Sequence, residues 1–131
     1  MTQVRYGRLG GGRYVLSARG HARPEGGGPA GRGDPDAHGR AGDPELVSVQ
    51  GCAYLSGILY SLAGYLVNAA EEGFVQVEEL RLDSGDALVR FRGDSRGQAA
   101  FDTAVIGLKQ LEKSCPELVK VTETTAEAVE T

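Results

Sequence analysis

The sequence predicts an α+β domain: two helices packed on a mostly antiparallel sheet, in the order β-β-loop-α-β-β-α-β. Three observations predict it. Two stretches alternate apolar and polar residues around short glycine-containing turns, "QVRYGRL-GGG-RYVLSA" and "FVQVEELRL-DSGD-ALVRFR", as antiparallel hairpins do. Each hairpin is followed by a stretch whose apolar residues recur at helical spacing. The composition suits one globular core, with 131 residues, 40% of them hydrophobic and 24% charged.

In the first hairpin Tyr14 and Leu16 share one face and Val15 and Ser17 the other. The second strand runs out at Gly20-His21-Ala22. Residues 22–44 then hold seven Gly and four Pro and no aliphatic side chain larger than Ala. Such a segment cannot pack, so a long loop is expected. A loop of this kind is either a lid over a substrate or a tolerated insertion.

Leu55, Ile58, Leu59, Leu62 and Leu66 next form one apolar helical stripe. The helix is expected to start near Gly51 and to stop at Gly73. Tyr54, Gly57, Ser61 and Gly64 lie off the stripe. Each glycine weakens a helix, so close approach of another backbone is expected there. After the second hairpin, Ser95–Gln98 has the form of a capping box, and Phe101, Ala104, Val105 and Leu108 mark the buried face of a second helix. Cys115 ends that helix ahead of Pro116, and "ELVKV" gives the last strand. The domain is expected to occupy residues 1–121, with an acidic tail, 122–131, that frays.

The bulk numbers exclude some functions. A net charge of -4 argues against a chain that coats nucleic acid. The opening residues have no apolar signal core, and no apolar run was expected to span a bilayer. With only two cysteines there is no disulfide framework, and reduced thiols in a cytoplasmic chain are expected. A zinc site from His21, His38, Cys52 and Cys115 lacks paired ligand spacing. "GGGPAGRG" lacks the Lys-Ser/Thr and following helix of a phosphate loop. No metal or cofactor is expected.

Two side chains remain for chemistry. His21 leaves a strand at one side of the long loop, and Cys52 enters a helix at the other, 31 residues on. A thiolate is a strong nucleophile. An imidazole can take its proton and pass it to a leaving amine. Amides at the start of a helix would favour the thiolate and hold an oxyanion. Gly20 and Gly51 flank the pair and let substrate approach. Against this stands the ordinary fate of both types, a small buried cysteine and a surface histidine.

The residues Gly20-His21-Ala22, "CAYLSGILYSL" from Cys52 and "FDTAVIGLKQLEKSCPELVKV" from Phe101 resemble, in order, the ribosomal-processing cysteine protease family, Prp. "LDSGDALVRF" is similar to that family's second hairpin. The resemblance implies a catalytic His21, a nucleophilic Cys52 and a role for Ser56, one turn further on. It implies removal of an N-terminal extension from protein 27 of the large ribosomal subunit, or trimming of a phage structural protein, by a homodimer whose loop orders on substrate. The chain departs from the family in its longer loop and in Val49, which stands where an Asp is usual. A second register would put Ser48 on the nucleophile and Cys52 on the Ser. The first is preferred because Ser56-Gly-Ile-Leu-Tyr60 then matches the family's pattern. Two other functions are compatible with these residues, a non-catalytic domain of this fold that binds peptide and a redox-sensing Cys52–Cys115 pair.

Overall fold

The computed structural model describes residues 1–20, 44–125 and 129, apart from the side chains of 44–49. His21 and the expected loop as far as Asp43 lie outside the described residues. The elements are β1 (Thr2–Leu9), β2 (Arg13–Arg19), α1 (Pro44–Glu71), β3 (Val75–Asp83), β4 (Asp86–Gly93), α2 (Ser95–Ser114) and β5 (Val119–Glu123). They build one five-stranded sheet in the order β3-β4-β2-β1-β5. Every pairing is antiparallel except β1 with β5, which is parallel. Both hairpins and both helices occur in the expected order.

The two helices cover one face of the sheet. Val4, Tyr6, Tyr14, Leu16, Val89 and Phe91 project from that face against Leu55, Leu59, Leu62 and Leu66 of α1 and Phe101, Val105 and Leu108 of α2. Its centre is aromatic. The Tyr14 ring lies 4.9 Å from that of Phe101 and 5.3 Å from that of Phe91, centroid to centroid, a spacing at which ring edges and faces attract.

Four local expectations are revised. First, α1 begins at Pro44 and not near Gly51. Proline is preorganised for the first helical position. Second, the cap of α2 is Asp94, whose carboxylate accepts from the Arg96 and Gly97 amides, so Ser95 is already inside the helix. Third, a Cβ added at Gly57 or Gly64 would meet nothing within 4 Å, so no backbone among the described residues approaches either one. Fourth, β5 runs to Glu123, the Thr124 amide donates to the Tyr6 carbonyl, and Val129 is buried.

The end of α1 follows expectation. Gly73 has φ +85°, its amide donates to Ala70 and that of Phe74 donates to Ala69, the paired bonds of a left-handed glycine cap. By length and composition alone, the 22 residues Gln50–Glu71 would suffice to cross a membrane, contrary to the sequence reading. Here their leucine stripe packs on the sheet.

Candidate active site

Gly20 fixes where β2 leaves the sheet. Its φ is +98°, and a Cβ there would stand 2.5 Å from the Met1 carbonyl oxygen, so glycine alone fits. Its amide donates to the Gly85 carbonyl at 2.9 Å. The residue before His21 is therefore held between the start of β1 and the β3–β4 turn.

A cavity of about 270 Å³ opens at this corner. Thr2, Ala18, Gly20 and Ala87 line it from the sheet, and Leu82 to Asp86 from the β3–β4 turn. From α1 come Cys52, Leu55, Ser56, Leu59 and Tyr60. Cys52, Ser56 and Tyr60 follow one another at four-residue intervals, which sets a thiol, a hydroxyl and a phenol in a row along one side of the helix. Leu55 and Leu59 are each less than a tenth exposed and make the apolar part of the wall.

Cys52 is half-buried, and neither it nor Cys115 is in a disulfide. Of the five residues singled out in the sequence, Gly20, Cys52 and Ser56 share the cavity. Gly51 does not line it, being buried inside α1. His21 lies outside the described residues, one position beyond Gly20.

The helix start alters the chemistry expected of Cys52. Unpaired amides belong to the first turn of a helix, and the dipole acts over the same distance. Cys52 stands eight residues after Pro44, in the third turn, so the amides at the start of α1 do not reach its sulfur. Ser48 of the second register lies four residues into the helix.

The rim of the cavity is charged but balanced. Asp86 lies 3.2 Å from Arg81 and 3.8 Å from Arg19, and Asp83 lies 3.9 Å from Arg81. No group of three His, Cys, Asp or Glu stands together among the described residues. Sequence reasoning missed Thr2, which is 1% exposed and whose hydroxyl has no hydrogen-bond partner among the described residues. Its place was legible, because it alternates with Val4 and Tyr6 on the helix-facing side of β1. The contribution of the β3–β4 turn was not legible, since nothing local to that turn says which strand exit it meets.

No family model and no curated protein matches the chain. Solved structures do match it. The chain is similar to a ribosomal processing protease, Prp, from S. aureus, solved with a covalently linked product peptide. That match has a TM-score of 0.62 and 15% identity and covers 95% of this chain and all of the other. The same protease with a substrate peptide matches with a TM-score of 0.58 and 18% identity over the same coverage. SMU.848 from Streptococcus mutans matches with a TM-score of 0.57 and 23% identity over 95% of each chain. The chain thus shares the fold of these structures over 95% of its length.

Proposed function

We propose that this chain is a cysteine endopeptidase of the Prp kind that removes an N-terminal extension from a ribosomal large-subunit protein, protein 27, in the cytoplasm. The observation that carries the reading is the shared cavity. It sets the Cys52 thiol beside Gly20, the residue that leads to His21, in a fold whose solved examples hold substrate and product peptides. A phage structural protein is the alternative substrate, since a trimmed N-terminal segment presents the same extended backbone.

The reaction follows from the residues. Cys52 Sγ attacks a backbone carbonyl of an extended peptide while His21 takes the thiol proton. The tetrahedral adduct collapses, the C–N bond breaks, and His21 returns the proton to the leaving amine. Water then attacks the thioester, with His21 again taking a proton, and the carboxylate product leaves. Ser56 and Gly20 line the path of the peptide. Because Cys52 is in the third turn of α1, its activation rests on the imidazole and not on the helix end. A second copy of the chain fits the outer face of α1. That helix carries no charged residue from Gln50 to Ala70 and exposes Tyr54 and Tyr65 on the side away from the cavity.

A second reading has one specific observation in its favour. The same distance of Cys52 from the helix start suits a domain that binds the peptide without cutting it. Iodoacetamide labelling at neutral pH, read by peptide mass for each cysteine, separates the two. The enzyme requires rapid labelling of Cys52, slow labelling of Cys115, and slowing of the first by His21→Ala. Equal, slow labelling of both cysteines would leave a binding domain only.

A further inference from the structure

The helix-facing side of the sheet steps down toward the candidate active site. The cross-strand partners on β2 and β4 are Tyr14 with Phe91, then Leu16 with Val89, then Ala18 with Ala87. All of them belong to the one core. Successive pairs on one face are two residues apart along each strand, so the rows shrink from two rings to two methyl groups. In the first two rows the side chains fill the space between sheet and helices. In the third they are too short to do so, and the cavity of about 270 Å³ opens there. Ala18 and Ala87 line it from the sheet, with Leu82, the partner of Ala87 on β3, beside them and Leu55 and Leu59 of α1 across from them.

Protein interiors seldom leave gaps larger than a water molecule. One larger side chain at either alanine would narrow this one, so its width is set by those two positions. Its size lies just below the roughly 300–1,000 Å³ of a site for a drug-sized ligand, which suits one large side chain. The walls also limit charge. Asp83 and Asp86 line the cavity, and no Lys, Arg or His does so among the described residues. An acidic guest would meet like charge. A basic one would meet carboxylates that already have Arg81 at 3.9 Å and 3.2 Å. Either would leave water for walls of leucine and alanine, which is costly for an ion.

We propose that Ala18 and Ala87 are specificity-determining residues: the step they make in the sheet receives one bulky, uncharged side chain of the peptide, of leucine size or larger, next to the bond that Cys52 attacks. The inference rests on the peptidase reading, because it is the shared wall with Cys52 that makes this opening a substrate pocket.

The test uses the chloromethyl ketones of acetyl-leucine, acetyl-alanine, acetyl-glutamate and acetyl-lysine, each of which alkylates a thiol with loss of chloride. Rates are read by peptide mass for Cys52 and Cys115 separately. Each is divided by the iodoacetamide rate of the same cysteine in the same protein. In the unaltered chain Cys52 should react with the leucine probe at least about tenfold faster than with the alanine probe, and faster than with the charged probes. Cys115, which does not line the cavity, should show no such order. In Ala18→Val, Ala87→Val or both, the preference for leucine at Cys52 should fall toward one. Valine suits a strand, and circular dichroism checks that each variant folds. Equal leucine and alanine rates at Cys52 in the unaltered chain overturn the proposal, as do a preference that persists in both valine variants or faster reaction of either charged probe. Failure of the peptidase reading looks different: the iodoacetamide rates of Cys52 and Cys115 are then equally slow, while the leucine-to-alanine ratio at Cys52 still reports the pocket.

Discussion

Substitution of Gly20 by alanine tests the geometry that brings β2 to the cavity. The perturbation is one methyl group, and the structure gives its cost. A non-glycine residue at φ +98° is strained by about 1–3 kcal/mol. The methyl would also stand 2.5 Å from the Met1 carbonyl oxygen, which belongs to backbone and cannot rotate away. Moving either chain lengthens the 2.9 Å bond from the Gly20 amide to Gly85, worth about 0.5–1.5 kcal/mol. Together these predict a loss of roughly 2–4 kcal/mol. Gly10 is the control: it has no positive φ and nothing within 4 Å of an added Cβ, so Gly10→Ala should stay within about 0.5 kcal/mol. Urea unfolding of both variants is the assay. If Gly20→Ala costs no more than Gly10→Ala, the strand exit is not held as described, and the argument that joins Cys52 to the residue before His21 fails with it.

The fold was largely legible in the sequence. Alternation in "RYVLSA" and "ALVRFR" and the spacing of Leu55, Leu59, Leu62 and Leu66 are local signals of burial on one face, and each of these leucines is in the core. The parallel pairing of β5 with β1 joins residues more than a hundred positions apart, and no local pattern encodes it. The start of α1 is not legible locally, because Gly51 resembles a boundary and Pro44 the end of a loop. In a helix that packs by tertiary contact, one interior glycine is tolerated, and a proline at the first position is an aid.

The site was legible as a list and only partly as a place. Gly20, Cys52 and Ser56 share one cavity because β2 ends over the same side of α1 that carries the four-residue series Cys52, Ser56, Tyr60. Gly51, chosen for closeness to Cys52 in sequence, is separated from the cavity by the helical period itself. One residue back along a helix turns a side chain by about 100°, whereas four residues return it to the same side. Thr2 and the β3–β4 turn enter only through the sheet order, which places β1 and β4 on either side of β2.

Three further expectations follow from these contacts. The Arg96 side chain, with the Arg96 and Gly97 amides, holds the Asp94 carboxyl below its usual value of 3.8, although partial desolvation opposes this. A lowered folded-state value means that the stabilisation is present above the ordinary carboxylate range and is lost as pH falls through the lowered value. Asp94→Ala should therefore reduce the urea midpoint at neutral pH and converge on the parent in strong acid; a constant difference across pH would refute the cap. Gly57→Ala should stabilise an isolated chain by about 0.5–1 kcal/mol, since helix propensity gains and nothing crowds the methyl. If two copies pack through this face, the same change should weaken association in sedimentation, and an unaffected dimer would move the contact elsewhere. The last expectation concerns which side chain attacks. Ser48 and Cys52 are four residues apart on α1, and the two registers differ in which of them attacks. Cys52 lines the wall shared with Gly20, which favours its sulfur as the nucleophile. Cleavage of a peptide carrying the ribosomal extension should then disappear in Cys52→Ala and persist in Ser48→Ala, with circular dichroism unchanged in both. Loss in Ser48→Ala with survival of Cys52→Ala would shift the reaction one turn toward Pro44, where the helix amides do lie within reach, and the second register would be the correct one.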